Sequence, residues 1–139
     1  MATTGQFQPL KVPADQLTGA LSADVVDPGA QPATIVRAGD AWKIDVTWEL
    51  TGELIAWLTG KWHVQVVADR QGGGETTHPA TPIEVAFTPG TGAYTAGVPM
   101  QGQLTAGTYD LTVNLTSTTA AGTPGNLGGF VSLSKIMVQ

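Results

Sequence analysis

The side chains able to do chemistry are few and widely spaced along the chain. It contains no cysteine and only two histidines, His63 and His78. A zinc site needs three or four nitrogen, sulfur or carboxylate ligands close together, and this sequence does not group them. No serine stands in the strand-to-helix turn that exposes a catalytic nucleophile. We therefore expect a protein that is not an enzyme and that uses no metal and no cofactor.

The carboxylates best placed to act as a pair are Asp45 and Glu49. They lie four residues apart on one face of a predicted strand, which separates them by roughly 13 Å. Glycosidases hold their two carboxyl groups closer together than this, so we interpret both as solubilising surface charges. Asp24, Asp27 and Asp40 could hold calcium between loops, but they lack the alternating Asp-x-Asp-x-Asp spacing of a calcium loop.

Charge and composition limit the possible partners. The chain has 139 residues, a net charge of -5 and a sequence pI near 4.6. Its six Lys and Arg residues are scattered singly, so no basic stripe can neutralise phosphates, and we expect no nucleic acid partner. A chain of this length is one domain by the usual prior.

Apolar runs long enough to span a membrane are absent from the sequence. A membrane helix needs roughly 18 consecutive apolar residues, and the first residues have neither a basic segment nor an apolar run of the kind found in secretion signals. The sequence thus predicts no membrane span and, by default, a cytoplasmic location. Export by another route stays open.

Alternation of apolar and polar residues predicts the fold. In residues 42–50, 62–68 and 109–115 every second residue is apolar, which is typical of half-buried antiparallel strands. Trp42, Trp48 and Trp62 fall in phase with this pattern and are predicted core residues. Weaker strands are predicted at 19–27, 33–38, 81–88, 93–98 and 130–138. These elements indicate an all-β fold, a single antiparallel β-sandwich of seven or eight strands.

One short stretch resembles a known family. The sequence LTAGTYDLTVNL, residues 104–115, is similar to the L-x-x-G-x-Y-x-L-x-V pattern of immunoglobulin-like and fibronectin type III-like sandwiches, in which a strand begins at a tyrosine corner. The resemblance implies an immunoglobulin-like domain in which Tyr109 begins the penultimate strand and its hydroxyl bonds to backbone a few residues upstream. It also implies that Trp62 is the buried tryptophan of the third core strand. The cysteine pair of antibody domains is missing.

Residues 1–18 differ from the rest of the chain. Pro9 and Pro13 disfavour a helix or a central strand there, and the apolar residues are Phe7, Leu10 and Val12. We predict an extended N-terminal arm over residues 1–18 and a sandwich domain over 19–139. The arm either lies along its own domain or adds to a neighbouring subunit.

An apolar patch interrupts the strand pattern at residues 54–58. Leu54, Ile55, Trp57 and Leu58 lie between two Thr-Gly pairs, where a polar connection is expected. Left in water, each side chain would forgo roughly 1.5–3 kcal/mol of burial energy, so something must cover them. Either the segment folds back as a lid that buries Leu54 and Leu58, with Trp57 covering the rim, or it forms an exposed tip that docks on another chain.

These features favour a non-enzymatic structural or interaction protein. It would assemble with itself or dock in a larger complex through the arm residues Phe7, Leu10 and Val12 and the apolar residues 54–58. One alternative is a module that binds carbohydrate or another ligand, which would require two coplanar exposed aromatic residues such as Trp57 and Tyr94. A virus-like coat or decoration protein is a further alternative.

Overall fold

The computed structural model describes residues 3–7, 16–125 and 127–139. Across these residues it contains eleven strands and one 3-10 helix. The strands are β1 (Thr3–Thr4), β2 (Gln6–Phe7), β3 (Thr18–Val26), β4 (Ile35–Val36), β5 (Lys43–Thr51), β6 (Lys61–Arg70), β7 (Glu75–Ala86), β8 (Ala93–Pro99), β9 (Gly107–Thr118), β10 (Gly129–Ser132) and β11 (Ile136–Val138). The 3-10 helix spans Glu53–Trp57. Nowhere in these ranges is there a helix with the length and apolarity needed to cross a membrane.

Two sheets form the sandwich. The smaller has the order β1-β3-β5-β8. In the larger sheet, β7, β6 and β9 lie side by side. The other edge of β9 pairs with β10 and then with β11, which follow one another along it. Strand β10 also pairs with β2, and β11 also pairs with β4. All the pairings are antiparallel except that of β4 with β11. The predicted all-β antiparallel sandwich is confirmed.

The core lies between the facing sides of the two sheets. Trp42, Trp48 and Trp62 are exposed by only 1%, 2% and 0%, as the alternation predicts. Trp62 lies at the centre of an aromatic cluster, with its ring 5.7 Å from that of Trp48 and 4.6 Å from that of Phe87. Large rings in contact between the sheets bury much apolar area, so this cluster is a main source of stability.

Strand β7 begins earlier than the sequence pattern predicts. The prediction began at residue 81 and placed His78 in a loop, but β7 starts at Glu75. The sequence pattern did not predict this pairing, because Pro79 and Pro82 have no backbone N–H group to donate to a neighbouring strand. Such residues are tolerated here because, among the described strands, β7 pairs with β6 alone. The register shifts opposite Gln65, whose side-chain amide donates to the carbonyl of Pro79 at 3.0 Å.

Two other predicted strands are shorter than expected. Residues 130–138 form β10 and β11 in place of one strand, because three residues, 133–135, face the two residues 110 and 111 of β9. This extra residue is a β-bulge, which interrupts the ladder locally. The strand predicted at 33–38 is reduced to β4, Ile35–Val36.

The corner before β9 has the geometry that the family resemblance implies. The hydroxyl of Tyr109 donates to the carbonyl of Thr105, four residues upstream, at 2.8 Å. Tyr109 itself is 4% exposed, so this hydrogen bond satisfies a polar atom at the edge of the core. The resemblance implied that Tyr109 begins the penultimate strand. Because residues 130–138 form two strands and not one, β9 is instead the third strand from the end.

The described part of the predicted arm lies against both sheets of its own domain. Thr3 and Thr4 pair with β3, and Gln6 and Phe7 pair with β10. The ring of Phe7 packs edge-on against Trp62, with centroids 6.3 Å apart. Gly19 makes room for it, because a Cβ at that position would lie 2.7 Å from the ring. Leu10 and Val12, the other two predicted interface residues of the arm, lie outside the described residues.

Candidate interaction site

The apolar patch forms a compact turn at one end of the sandwich. We call residues 53–58 the tip. It connects β5 to β6 and consists of the 3-10 helix and Leu58, which returns to extended backbone. The amide of Leu54 donates to the carbonyl of Gln16 at 3.0 Å, and the carbonyl of Ile55 accepts from the amide of Gly90 at 3.2 Å. Two neighbouring segments therefore hold the backbone of the tip in place.

The four apolar residues of the tip are divided between two environments. Leu54, Ile55 and Leu58 are half-buried and pack against the core, as the lid interpretation expects. Trp57 is 79% exposed and does not cover the rim. The tip thus anchors three side chains in its own domain and presents the fourth, an indole, to solvent.

Three more large apolar side chains are exposed among the described residues. Ile35, Phe130 and Met137 are exposed by 57%, 48% and 46%. Ile35 and Met137 are direct partners in the parallel pair of β4 with β11. Phe130 faces outward because its neighbour Val131 is the buried residue of β10. Sequence reasoning missed all three, because each has an apolar neighbour in the chain and alternation alone does not show which of the two is buried.

The polar side chains with potential for chemistry do not come together. His63 and His78 each share a hydrogen bond with a threonine, Thr118 at 3.0 Å and Thr76 at 2.7 Å respectively. Asp45 pairs with neighbouring Lys43 at 3.3 Å. Throughout residues 3–7, 16–125 and 127–139, no three histidines or carboxylates are grouped to hold a metal ion.

Asp27 has a local structural role. Its Oδ1 accepts hydrogen bonds from the amides of Gly29 and Gln31, both at 2.9 Å. An aspartate that bonds the backbone two residues onward stabilises a turn. This contact shapes the loop that leads from β3 towards β4.

The pair of aromatic residues considered for sugar stacking is not formed. Tyr94 faces the interior of the sandwich, where its ring stacks on Trp48 with centroids 5.8 Å apart and planes 14° from parallel. Its hydroxyl bonds to the backbone of Thr88. Trp57 therefore has no coplanar partner in Tyr94, because the alternation of β8 turns Tyr94 inward and the neighbouring Ala93 and Thr95 outward.

Comparison with known proteins gives weak likenesses of fold. The sequence matches no protein-family model and no curated protein. Among solved structures it is similar to the C-terminal domain of Wzt, with 11% identity, a TM-score of 0.49, and coverage of 97% of this chain and 78% of that one.

Two further structures are less similar. The soluble domain of PmoD from Methylocystis sp. has 11% identity, a TM-score of 0.37, and coverage of 86% of this chain and 91% of that one. The putative ApaA protein from Bordetella pertussis has 12% identity, a TM-score of 0.33, and coverage of 91% and 98%. Identities and scores this low give no support for a shared function.

Proposed function

We propose that this chain is a non-enzymatic protein-interaction domain with an immunoglobulin-like sandwich, and that it assembles with copies of itself through the tip. The observation that carries the proposal is the 79% exposure of Trp57 on a backbone segment that is held in place on two sides. The tyrosine corner at Tyr109 supports the immunoglobulin-like class.

Tryptophan is among the residues most enriched at the energetic centres of protein interfaces. Its side chain offers a large apolar area with only two rotatable bonds, so little conformational entropy is lost when it is buried by a partner. The hydrogen bonds of Leu54 and Ile55 to Gln16 and Gly90 fix the backbone before binding. A preorganised anchor of this kind reduces the cost of association.

Replacing Trp57 with alanine tests the role of the tip. We expect self-association to weaken at least about tenfold, the equivalent of about 1.4 kcal/mol, because the anchor is lost. Sedimentation or light scattering over a concentration series measures the effect. Circular dichroism should show an unchanged fold, since Trp57 contributes little to its own core.

The matched control is Phe130→Ala, which removes another exposed aromatic side chain that lies outside the tip, on β10. We expect it to leave self-association unchanged. Equal association of wild type and Trp57→Ala, or a wild type that stays monomeric at every concentration, would contradict the proposed function.

A second candidate function rests on the outer face of the larger sheet. There the paired registers place Gln6, Phe130, Asn114 and Gln65 in one row across four strands. The side chains of Gln6 and Asn114 make no hydrogen bond within the described part of the chain, whereas Gln65 bonds to Pro79. The row has an exposed ring flanked by amides that both donate and accept.

Such a row suits a neutral saccharide. Sugar hydroxyls also both donate and accept, and the C–H face of a pyranose can lie on an aromatic ring. The ion pairs of this face lie away from the row: Lys61–Glu84 near the end where β6 begins, and Asp110–Lys135 near the other end. Among the described residues no charged side chain stands in the row of Phe130, so an uncharged ligand fits best.

Titration with neutral gluco-oligosaccharides tests this candidate. If it is right, amide and aromatic NMR signals of Phe130 and Asn114 will shift, and Phe130→Ala will weaken the affinity at least about tenfold, as loss of a stacked ring and its burial implies. Trp57→Ala serves as the control and should bind as the wild type does. The absence of any response at millimolar sugar would rule the candidate out.

A further inference from the structure

The largest exposed side chain and the exposed apolar pair lie at opposite ends of the domain. The tip connects the end of β5 to the start of β6, and β6 begins where β9 ends, at the pair Lys61 and Thr118. Ile35 and Met137 lie beside the start of β9, where Val138 pairs with Gly107. Since β9 has 12 residues, the two ends are separated by about 36 Å.

The end opposite the tip contains a cavity of about 260 Å³, lined by Ile35, Val36, Pro28 and Arg37 together with Asp27, Asp40 and Gln139. We call it the end pocket. Its apolar wall is the exposed edge strand β4 and the ring of Pro28. Its cation is Arg37, which takes part in none of the three ion pairs found among the described residues.

The indole of the tip matches the end pocket in shape and in its contacts with one apolar and one cationic side chain. Trp57 protrudes and is apolar, while the end pocket is concave and has the apolar side chain of Ile35 at its wall. A guanidinium is attracted to the face of an indole, so Arg37 suits this particular side chain. Asp27 and Asp40 also line the end pocket and have the same sign of charge as Glu53 of the tip. The attraction between the two surfaces therefore rests on the contact of the indole with Arg37 and Ile35, and not on the charge of Glu53.

We propose that Trp57 of one copy inserts into the end pocket of the next copy, against Ile35 and Arg37. This inference rests on the proposed self-assembly and specifies its geometry. Because the two contact surfaces are different and lie about 36 Å apart at opposite ends of one chain, the contact is head-to-tail. A heterologous contact of this kind leaves a free tip and a free pocket at the ends of each open assembly, so it generates open chains, or rings where the rotation closes.

Two single variants test the proposal by complementation. Trp57→Ala keeps the end pocket and removes the indole that would insert into it. Ile35→Glu keeps the indole and replaces the apolar wall of the end pocket with a carboxylate. Ile35 is 57% exposed, and the bonds of β4 to β11 run through the backbone atoms of Thr34 and Val36, so the variant should fold. Each variant alone should be monomeric at concentrations where the wild type forms chains or rings. Mixed in equal amounts they should form a complex of two chains and nothing larger.

Light scattering of the variants separates the possible outcomes. If Ile35→Glu associates as the wild type does while Trp57→Ala does not, the tip assembles but the end pocket is not its partner. If the wild type stops at a symmetric dimer that Trp57→Ala abolishes, or if the mixture stays monomeric, the head-to-tail contact is wrong. If Trp57→Ala associates normally, the proposed function itself fails.

Arg37→Ala gives a second measurement that does not depend on the folding of Ile35→Glu. Loss of a cation facing an indole should weaken association about two- to fivefold. Lys43→Ala, a charge neutralisation on the outer face of β5, is the matched control and should have no effect. An Arg37→Ala variant that associates with wild-type affinity would overturn the placement of Trp57 against this residue.

Discussion

Replacing Trp62 with alanine is expected to lower the free energy of unfolding by about 3–5 kcal/mol. The side chain is 0% exposed, and its ring contacts those of Trp48, Phe87 and Phe7. Removing it loses the transfer energy of an indole and leaves a cavity that rings from both sheets cannot easily fill. Since a domain is stable by only about 5–15 kcal/mol, the variant should be close to unfolding in mild denaturant. Denaturant titration followed by circular dichroism measures the change.

The same substitution at Trp57 is the matched control. Trp57 is 79% exposed, so Trp57→Ala should change the free energy of unfolding by no more than about 0.5 kcal/mol when measured on the monomer. Equal losses at the two positions would contradict the assignment of one tryptophan to the core and the other to the surface.

Packing, and not hydrogen bonding, accounts for the expected loss at Trp62. The indole N–H groups of Trp42, Trp48 and Trp62 are buried and have no acceptor within the described residues. Burying a donor without a partner costs free energy, so these three residues stabilise the core in spite of their polar atom. The contacts of their rings must therefore outweigh that cost.

The core residues of the main strands could be predicted, because burial there follows the two-residue alternation of apolar and polar side chains in the sequence. In β5, β6 and β9 each buried residue alternates with a more exposed one, and a shift by one residue would expose the whole apolar set. This constraint identified Trp42, Trp48 and Trp62 as core residues from the pattern alone. The Tyr109 corner was predictable for a similar reason, since the spacing of Leu104, Gly107 and Tyr109 is local.

The end pocket and the Phe130 row could not be predicted, because each depends on pairings between distant segments. Ile35 comes next to Met137 across about a hundred residues of sequence, and the bulge at 133–135 sets which side of each strand faces out. These residues have apolar neighbours along the chain, so the sequence pattern placed them in strands without showing which side of each strand faces the core. Only the register shows that Phe130 and Met137 face solvent.

The tip was predicted in part. The pattern identified an apolar segment between two Thr-Gly pairs. The lid alternative describes Leu54 and Leu58, which pack on the core, and the exposed-tip alternative describes Trp57. What the sequence lacked was the position of Gln16 and Gly90, whose backbone atoms fix Leu54 and Ile55 and leave Trp57 outside. The glycines themselves carry clear information, because Gly52 and Gly60 adopt φ angles of 126° and 123°, which other residues rarely adopt.

Replacing Gly60 with alanine is therefore expected to lower the free energy of unfolding by about 2–5 kcal/mol. One contribution is the strain of a positive φ angle on a residue with a Cβ, about 1–3 kcal/mol. The other is steric, because a Cβ at Gly60 would overlap the carbonyl oxygen of Thr118 and the backbone would have to move. That movement would also disturb the hydrogen bond from the amide of Phe87 to the carbonyl of Gly60, now 3.0 Å long. Denaturant titration measures the total.

Two other glycines separate these contributions. Gly72 has a φ angle of 74°, and no atom lies within 4 Å of the position that a Cβ would take there, so Gly72→Ala should show only the strain, about 1 kcal/mol. Gly39 has open space and no positive φ angle, and Gly39→Ala should be neutral or slightly stabilising. The expected order of destabilisation is Gly60, then Gly72, then Gly39. If Gly60→Ala costs no more than Gly72→Ala, the close approach of Gly60 to Thr118 is not what positions the start of β6, and the tip must be held by its contacts with Gln16 and Gly90 alone.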